Sequence, residues 1–297
     1  MIYDTFIFFN ELELLEIRLH ELAQVVDRFV LVEATRTIRA KPKPLYFAEN
    51  QQAFRAFRDK LVHIVVEDMP EADDPSRLER FQRDCARRAL TACKPDDIIL
   101  LSDADEIPRA ETVREAARAH RFRRGPVVQA WHHLLKQRPV FRTFRNVFKK
   151  WHPFVKVFEQ HYHIFFLNCV REGNPWPGTR MIHYRDWSTG GDMRHWKGAR
   201  IKNGGWHFTW MGGADRIDSK LRSFSHPELD TPEFRVRLND ALQEQKHFGG
   251  QRGRLRFEKI DGSYPSYLQQ HPERFSDWIH KLQSPLPIPC GEGRGER

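Results

Sequence analysis

Apolar residues change their spacing several times along the first hundred positions. Residues 3–9 (YDTFIFF) form a short aromatic and β-branched run that reads as a buried strand. Over residues 11–25 the spacing becomes helical, with Leu12, Leu15, Leu19, Leu22 and then Val26 on one stripe. Residues 28–33 (RFVLVE) predict a second strand, 51–60 a helix, and 61–66 a third strand. A long basic helix follows over 76–92, and a fourth strand over 97–101. Strands that alternate with helices predict an α/β fold with a mainly parallel sheet covered on both faces. Ligands of such sheets sit beyond the carboxyl ends of the strands.

The pattern loosens after Pro108. Residues 109–120 read as a helix, and 127–135 and 154–167 as aromatic-rich strands. Residues 136–153 are basic and aromatic and read as a loop or hairpin. Residues 171–213 hold many Gly, Trp, Pro and His residues and read as a functional loop region. Helices are expected over 215–224 and 232–248. The stretch 284–297 is rich in Pro and Gly and reads as a disordered tail. With no internal repeat and no linker composition, the simplest organisation is one domain over residues 1–283.

Composition narrows the partners. The net charge of +9 favours anionic ones, whether nucleotide diphosphates, nucleic acid or an anionic membrane surface, although a solvated basic surface gives the same count. Eight Trp and 22 Phe allow a heavy aromatic core or a stacking surface. Cys85, Cys93, Cys169 and Cys290 lack zinc-site or redox spacing and read as free, mostly buried thiols of a reducing compartment. The start of the chain turns acidic at Glu11 and has no basic leader, and no run of 18 apolar residues occurs. The expectation is a cytoplasmic protein with peripheral membrane contact as an option.

The sharpest chemical feature is DDIILLSDADEIPR, residues 96–109. An apolar strand ends in Asp103 and Asp105, one residue apart, and Pro108 is expected to open a helix. Two adjacent carboxylates repel each other unless a cation lies between them. A hard divalent ion would bind both and still leave positions open for phosphate. The plainer alternative is that the two acids cap the next helix through an Asx turn.

Four segments taken in order carry a resemblance: 6–22 (FIFFNELELLEIRLHEL), 26–37 (VDRFVLVEATRT) with 41–47 (KPKPLYF), 94–109 (KPDDIILLSDADEIPR) and 204–210 (GGWHFTW). Together they resemble glycosyltransferase family 17. The resemblance implies a GT-A type, Rossmann-like fold, a UDP-sugar donor such as UDP-N-acetylglucosamine, Mn²⁺ or Mg²⁺, and inversion at the anomeric carbon. The acceptor it implies is a glycan or, for a cytoplasmic relative, a lipid-linked saccharide.

On that resemblance Asp103 and Asp105 are assigned to the metal and the donor; Glu106 reads as an ordinary acid in the first turn of the next helix, a partner behind the two aspartates being the alternative. His207, within GGWHFTW, is the third candidate ligand, a satisfied core histidine being its alternative; His226 is a weaker candidate. An inverting transfer needs one base. Asp215 is the first choice, a helix cap the equal alternative, and Glu172, Asp186 and Asp192 are further options. Nucleotide contacts are expected from Asn10, Glu33 and Thr37 after the first two strands. Lys43 and Arg83 are expected to meet the diphosphate or the acidic motif. Trp176, Trp206 and Trp210 are candidates for stacking on a sugar, or for the core.

Two other classes compete. A metal-dependent phosphohydrolase or nucleotidyltransferase needs a second carboxylate cluster, and none is evident. A nucleic-acid binder could use residues 136–151 (KQRPVFRTFRNVFKKW), but no recognised binding motif accompanies them. The same segment would attract anionic lipids.

Overall fold

Side-chain alternation on three neighbouring strands divides the core in two. In β1 (Ile2–Phe8), β2 (Arg28–Ala34) and β4 (Ile98–Asp103), the residues Phe6, Phe8, Phe29, Leu31, Ile98 and Leu100 point to one face. Tyr3, Val30, Val32, Ile99 and Leu101 point to the other. Both sets are buried, as expected for strands covered on both sides. The first face packs against Leu15, Leu19 and Leu22 of α1 (Leu12–Leu22) and Val113, Ala116 and Ala117 of a later helix, Ala110–Phe122. The second packs against Leu78, Cys85, Ala86 and Leu90, in and after the helix Pro75–Asp84. Numbering in chain order makes the short helix Tyr46–Asn50 α2, Pro75–Asp84 α3 and Ala110–Phe122 α4.

The computed structural model describes residues 1–72, 74–122, 151–223, 230–236 and 254–281. The strand and basic segment expected over 127–150, His226, most of the helix expected over 232–248, Cys290 and the tail from 284 lie outside them. Residues 232–236 are helical. Among the described residues no helix is long and apolar enough to cross a membrane.

The sheet runs β10-β7-β6-β8-β4-β1-β2-β3, where β3 is Leu61–Val66, β6 Trp151–Ile164, β7 Cys169–Arg171, β8 Trp176–His183 and β10 Leu255–Phe257. β9 (Lys197–Thr209) pairs with β6 and with the short β5 (Glu106–Pro108). The strands β3, β2, β1 and β4 are parallel to one another. β9 is likewise parallel to β6, so the sheet is mostly parallel as expected, while β8 is antiparallel to β4 and to β6, and β7 and β10 continue antiparallel.

Residues 171–213 differ most from their reading as a loop. They hold β8, a single helical turn α5 (Gly190–Met193) and the long β9. Glycine serves close packing here. At Gly205, φ is +134°, and a Cβ would lie 2.1 Å from the carbonyl oxygen of Ile107. Two smaller differences concern helix ends. The helix expected over 76–92 stops at Asp84 and continues as 3₁₀ turns, Cys85–Ala89. Pro108 ends β5 and does not open α4, whose first residue Ala110 donates its N–H to Glu21. Cys85 and Cys169 are buried free thiols and Cys93 is half-buried.

Candidate active site

A buried arginine sets the acidic turn. Arg18 lies within the apolar stripe of α1, with neighbours Leu14, Leu15, Ile17, Leu19 and Leu22 all buried. Its guanidinium forms a two-pronged bond to Asp4 on β1, at 2.7 and 2.6 Å. It also donates to Ser102 Oγ (2.5 Å) and to the carbonyls of Asp103 (3.0 Å) and Glu106 (2.8 Å). A planar fork with five donors suits this task. The turn between β4 and β5 is thereby held with Asp103 and Asp105 facing outward from the sheet.

Four cationic or aromatic groups meet those acids. Asp103 Oδ1 is 2.5 Å from Arg83 Nη2, and its Oδ2 is 3.3 Å from Arg194 Nη2. Asp105 Oδ2 is 2.8 Å from Lys220 Nζ, and its Oδ1 is 3.6 Å from His207 Nε2. Glu106 is fully buried; it accepts from Trp176 Nε1 at 2.5 Å, from Arg194, and from the Asp103 N–H at 3.2 Å. Burial alone would push the Asp103 carboxyl up, but the charges of Arg83 and Arg194 outweigh this and hold it well below the usual carboxylate range. Burial likewise opposes the charge on Lys220, and Asp105 and Glu11 more than compensate, keeping it an ammonium. His207 is pushed down by burial, against the pull of Asp105 and Glu106, and is neutral near pH 7.

Distant segments deliver these groups. His207 arrives through the β5–β9 ladder, where it lies opposite Glu106, and the Phe208 N–H bonds the Asp105 carbonyl at 2.9 Å. Its ring stacks on Trp176 at 4.6 Å, and Tyr162 meets both edge-on. Arg194 follows α5, and Lys220 comes from α6 (Gly213–Leu221).

A cleft of about 170 Å³ opens at the carboxyl ends of β1, β2 and β4. Residues 7–9 and 11 at and beyond the end of β1, 36–38 and 43 after β2, 79, 82 and 83 on α3, 103–105 at and beyond the end of β4, and 220 and 223 line it. The expected residues Thr37, Lys43, Arg83, Asp103 and Asp105 therefore share one cavity. Glu33 lies beneath it, fully buried, accepting from the Phe47 N–H (3.0 Å) and His63 Nε2 (3.0 Å) and forming an ion pair with Lys43 Nζ at 3.6 Å. It anchors Lys43 and does not face the cleft. Asn10 and His207 stand outside the lining, and Asp215 is exposed on the first turn of α6. Trp206 is a core residue beneath Arg109, and Trp210 is half-buried.

The sequence did not point to Glu11, Arg18, Arg194 or Lys220. Arg18 had a signal, a charge on the apolar stripe of a helix, matched by Asp4 inside an apolar strand. Glu11 bonds the N–H groups of Phe9 and Asn10, and burial raises its pKa against the pull of Lys220.

The expected Mn²⁺ or Mg²⁺ can be tested against this arrangement. Asp103, Asp105 and His207 come together, yet all four carboxylate oxygens of the two acids already face an Arg, Lys or His nitrogen. Among the described residues, no group of three or more His, Cys, Asp or Glu is arranged to hold an ion. As arranged, these side chains do not fit a resident divalent metal.

Comparison with known proteins supplies a family. Residues 1–166 match the profile of glycosyltransferase family 17, covering β1 to β6 and the acidic turn and ending before residues 204–210. The β-1,4-mannosyl-glycoprotein 4-β-N-acetylglucosaminyltransferase of Homo sapiens is 35% identical over 114 residues, 35% of this chain and 21% of that protein. The protein of the same name from Mus musculus is 34% identical over 114 residues, with the same coverage. The matched stretch thus spans about a fifth of the length of these relatives.

Proposed function

The chain belongs to glycosyltransferase family 17, and on that premise we propose that it transfers a sugar from a nucleotide diphosphate donor to a saccharide hydroxyl. The observation that carries this reading is the cleft at the carboxyl ends of β1, β2 and β4, where Arg36, Lys43, Arg83 and Lys220 gather beside the acidic turn. The parallel order β3-β2-β1-β4, with a ligand cleft at those strand ends, is the arrangement of a Rossmann-like nucleotide site and supports a GT-A type fold. The names of the relatives favour N-acetylglucosamine as the sugar and a glycoprotein glycan as the acceptor; UDP as the carrier and a lipid-linked saccharide as the other acceptor belong to this proposal and rest on the family resemblance alone.

In an inverting transfer, the acceptor oxygen forms a bond to the anomeric carbon while the bond from that carbon to the β-phosphate oxygen breaks. The electron pair leaves with the nucleoside diphosphate, and the acceptor proton passes to a base. Cations fixed in the cleft stabilise the negative charge that develops on the leaving group. Lys220, held as an ammonium by Asp105 and Glu11, is the best placed for this. Among the cleft carboxyls, Glu79, Asp103 and Asp105 are engaged by Arg83, Arg194 and Lys220. Among the described residues Glu11 makes no ion-pair contact and feels Lys220 only at longer range, and its pKa, raised by burial, suits proton uptake. We therefore assign the base to Glu11 in place of the exposed Asp215.

Titration calorimetry with UDP, UDP-N-acetylglucosamine and ADP tests the donor. Binding of the uridine nucleotides in preference to ADP is expected. Absence of binding by any nucleoside diphosphate would overturn the reading.

A further inference from the structure

We infer that Lys220 is a tethered substitute for a divalent metal ion, so that this chain binds the diphosphate of its donor without a metal. This rests on the nucleotide-sugar reading above and concerns how the same cleft handles phosphate charge.

The Lys220 ammonium pairs with the carboxylate that a divalent ion would need. Its Nζ is 2.8 Å from Asp105 Oδ2, and Glu11 is close enough to stabilise its charge. The second acid of the turn is taken by Arg83 and Arg194, and Asp105 Oδ1 faces the neutral His207. A divalent ion at Asp105 would displace the ammonium or be repelled by it across a few ångströms of largely protein-filled space.

Lys220 is also delivered by a built structure, unlike a wandering surface lysine. Ile217 and Leu221 of α6 are buried with Ile164, Phe165, Cys169 and Phe234. On the same helix Arg216 grips Glu13 of α1 through two bonds of 2.6 Å. The Lys220 ammonium also lies 5.8 Å from the centre of the Trp210 ring, which borders it on another side. The helix thus points one cation at the acidic turn from a fixed base. Lys220 and Arg194 both fall beyond residues 1–166, so they belong to the part of the chain the family match does not cover.

An ammonium and two guanidiniums around a diphosphate can do electrostatically what a divalent ion does: neutralise the oxygens and stabilise the departing nucleotide. They cost no ion-loading step, and chelators do not remove them.

Two measurements on the full chain test this, UDP calorimetry in excess EDTA and in Mn²⁺, and electron paramagnetic resonance of Mn²⁺ titrated with protein. Wild type is expected to bind UDP in EDTA, with affinity changing less than threefold on adding Mn²⁺, and to leave the free Mn²⁺ signal intact. Lys220→Met is expected to lose at least tenfold in UDP affinity in EDTA and, with Asp105 freed of its ammonium partner, to bind Mn²⁺ and quench its signal. Lys220→Arg, which keeps the charge, should retain binding in EDTA and serves if the Met variant unfolds. Wild-type binding of UDP only with Mn²⁺ would overturn the inference and leave the donor reading standing. Unchanged UDP affinity in Lys220→Met would overturn the role of Lys220. Failure to bind UDP in either buffer would overturn the donor reading, and this inference with it.

Discussion

Arg18 and Asp4 form a fully buried, two-pronged ion pair that joins α1 to β1. Through the same guanidinium, Arg18 holds Ser102 and the carbonyls of Asp103 and Glu106, so the fold's interior and the acidic turn share one anchor. Removing one partner leaves the other charge buried without compensation. Arg18→Met should therefore cost about 3–5 kcal/mol of stability in urea denaturation. The double variant Arg18→Met with Asp4→Leu should recover part of that stability while losing nucleotide binding, because the turn loses its anchor. A single-variant cost below about 1 kcal/mol would show that the pair is not the anchor described.

Acid should destabilise the protein through buried histidines. Burial pulls the His163 pKa down to about 3, and His207 is lowered for the same reason. In the unfolded chain both should titrate near 6.5. As pH falls from about 6.5 towards 3, the unfolded state takes up protons that the folded state refuses. Stability should then drop by about 1.4 kcal/mol per pH unit for His163, with His207 adding in the same direction. Above about pH 6.5 neither contributes a slope. His163→Leu, in a site bordered by Phe208 and Tyr264, should flatten the curve measured by denaturation at several pH values. An unchanged slope would assign the effect elsewhere.

Gly205 sets the register that brings His207 to Glu106. An alanine there must hold φ at +134° and place its Cβ against the Ile107 carbonyl. Gly205→Ala should cost at least about 1–3 kcal/mol from backbone strain alone. Because Trp206 and Phe208 pack beneath the turn, the change should also lower nucleotide affinity. Thermal unfolding and calorimetry on the same sample would read both, and a variant as stable as wild type would contradict the close approach.

Glu11 and Asp215 can be separated by kinetics. Glu11→Gln removes the base while keeping its size, so the catalytic rate should fall by about 10²–10⁴-fold with donor affinity little changed. Asp215→Asn, at an exposed position on α6, should stay within about twofold of wild type, as for a surface change. The reverse pattern would restore Asp215 as the base.

The legible part of this chain was the parallel half. Its strands alternate apolar residues with a period of two, α1 repeats at helical spacing, and Asp103 and Asp105 end an apolar run at the strand edge where ligands sit. Lys43, Arg83 and Thr37 could be placed near them because they follow adjacent parallel strands. Residues 171–213 read as loop in the sequence because Gly178, Gly198, Gly204 and Gly205 look like turn residues, whereas each lies in a strand where a Cβ would meet a neighbouring group. Lys220 and Arg194 are 115 and 91 residues from the aspartates they bind, and nothing in local spacing encodes a contact made by tertiary packing. The metal expectation rests on Asp103, Asp105, His207 and the family resemblance, and the cations that neutralise the two acids come from those distant segments.

The proposed donor site is the cleft between the acidic turn, α3 and Lys220. Hydrogen–deuterium exchange with and without UDP-N-acetylglucosamine tests it most directly, since it maps the site without assuming any residue's role. Protection is expected in the segments around residues 7–11, 36–43, 79–83, 103–107 and 217–223. Saturating donor that protects none of these segments, or protects only residues elsewhere in the chain, would contradict this placement.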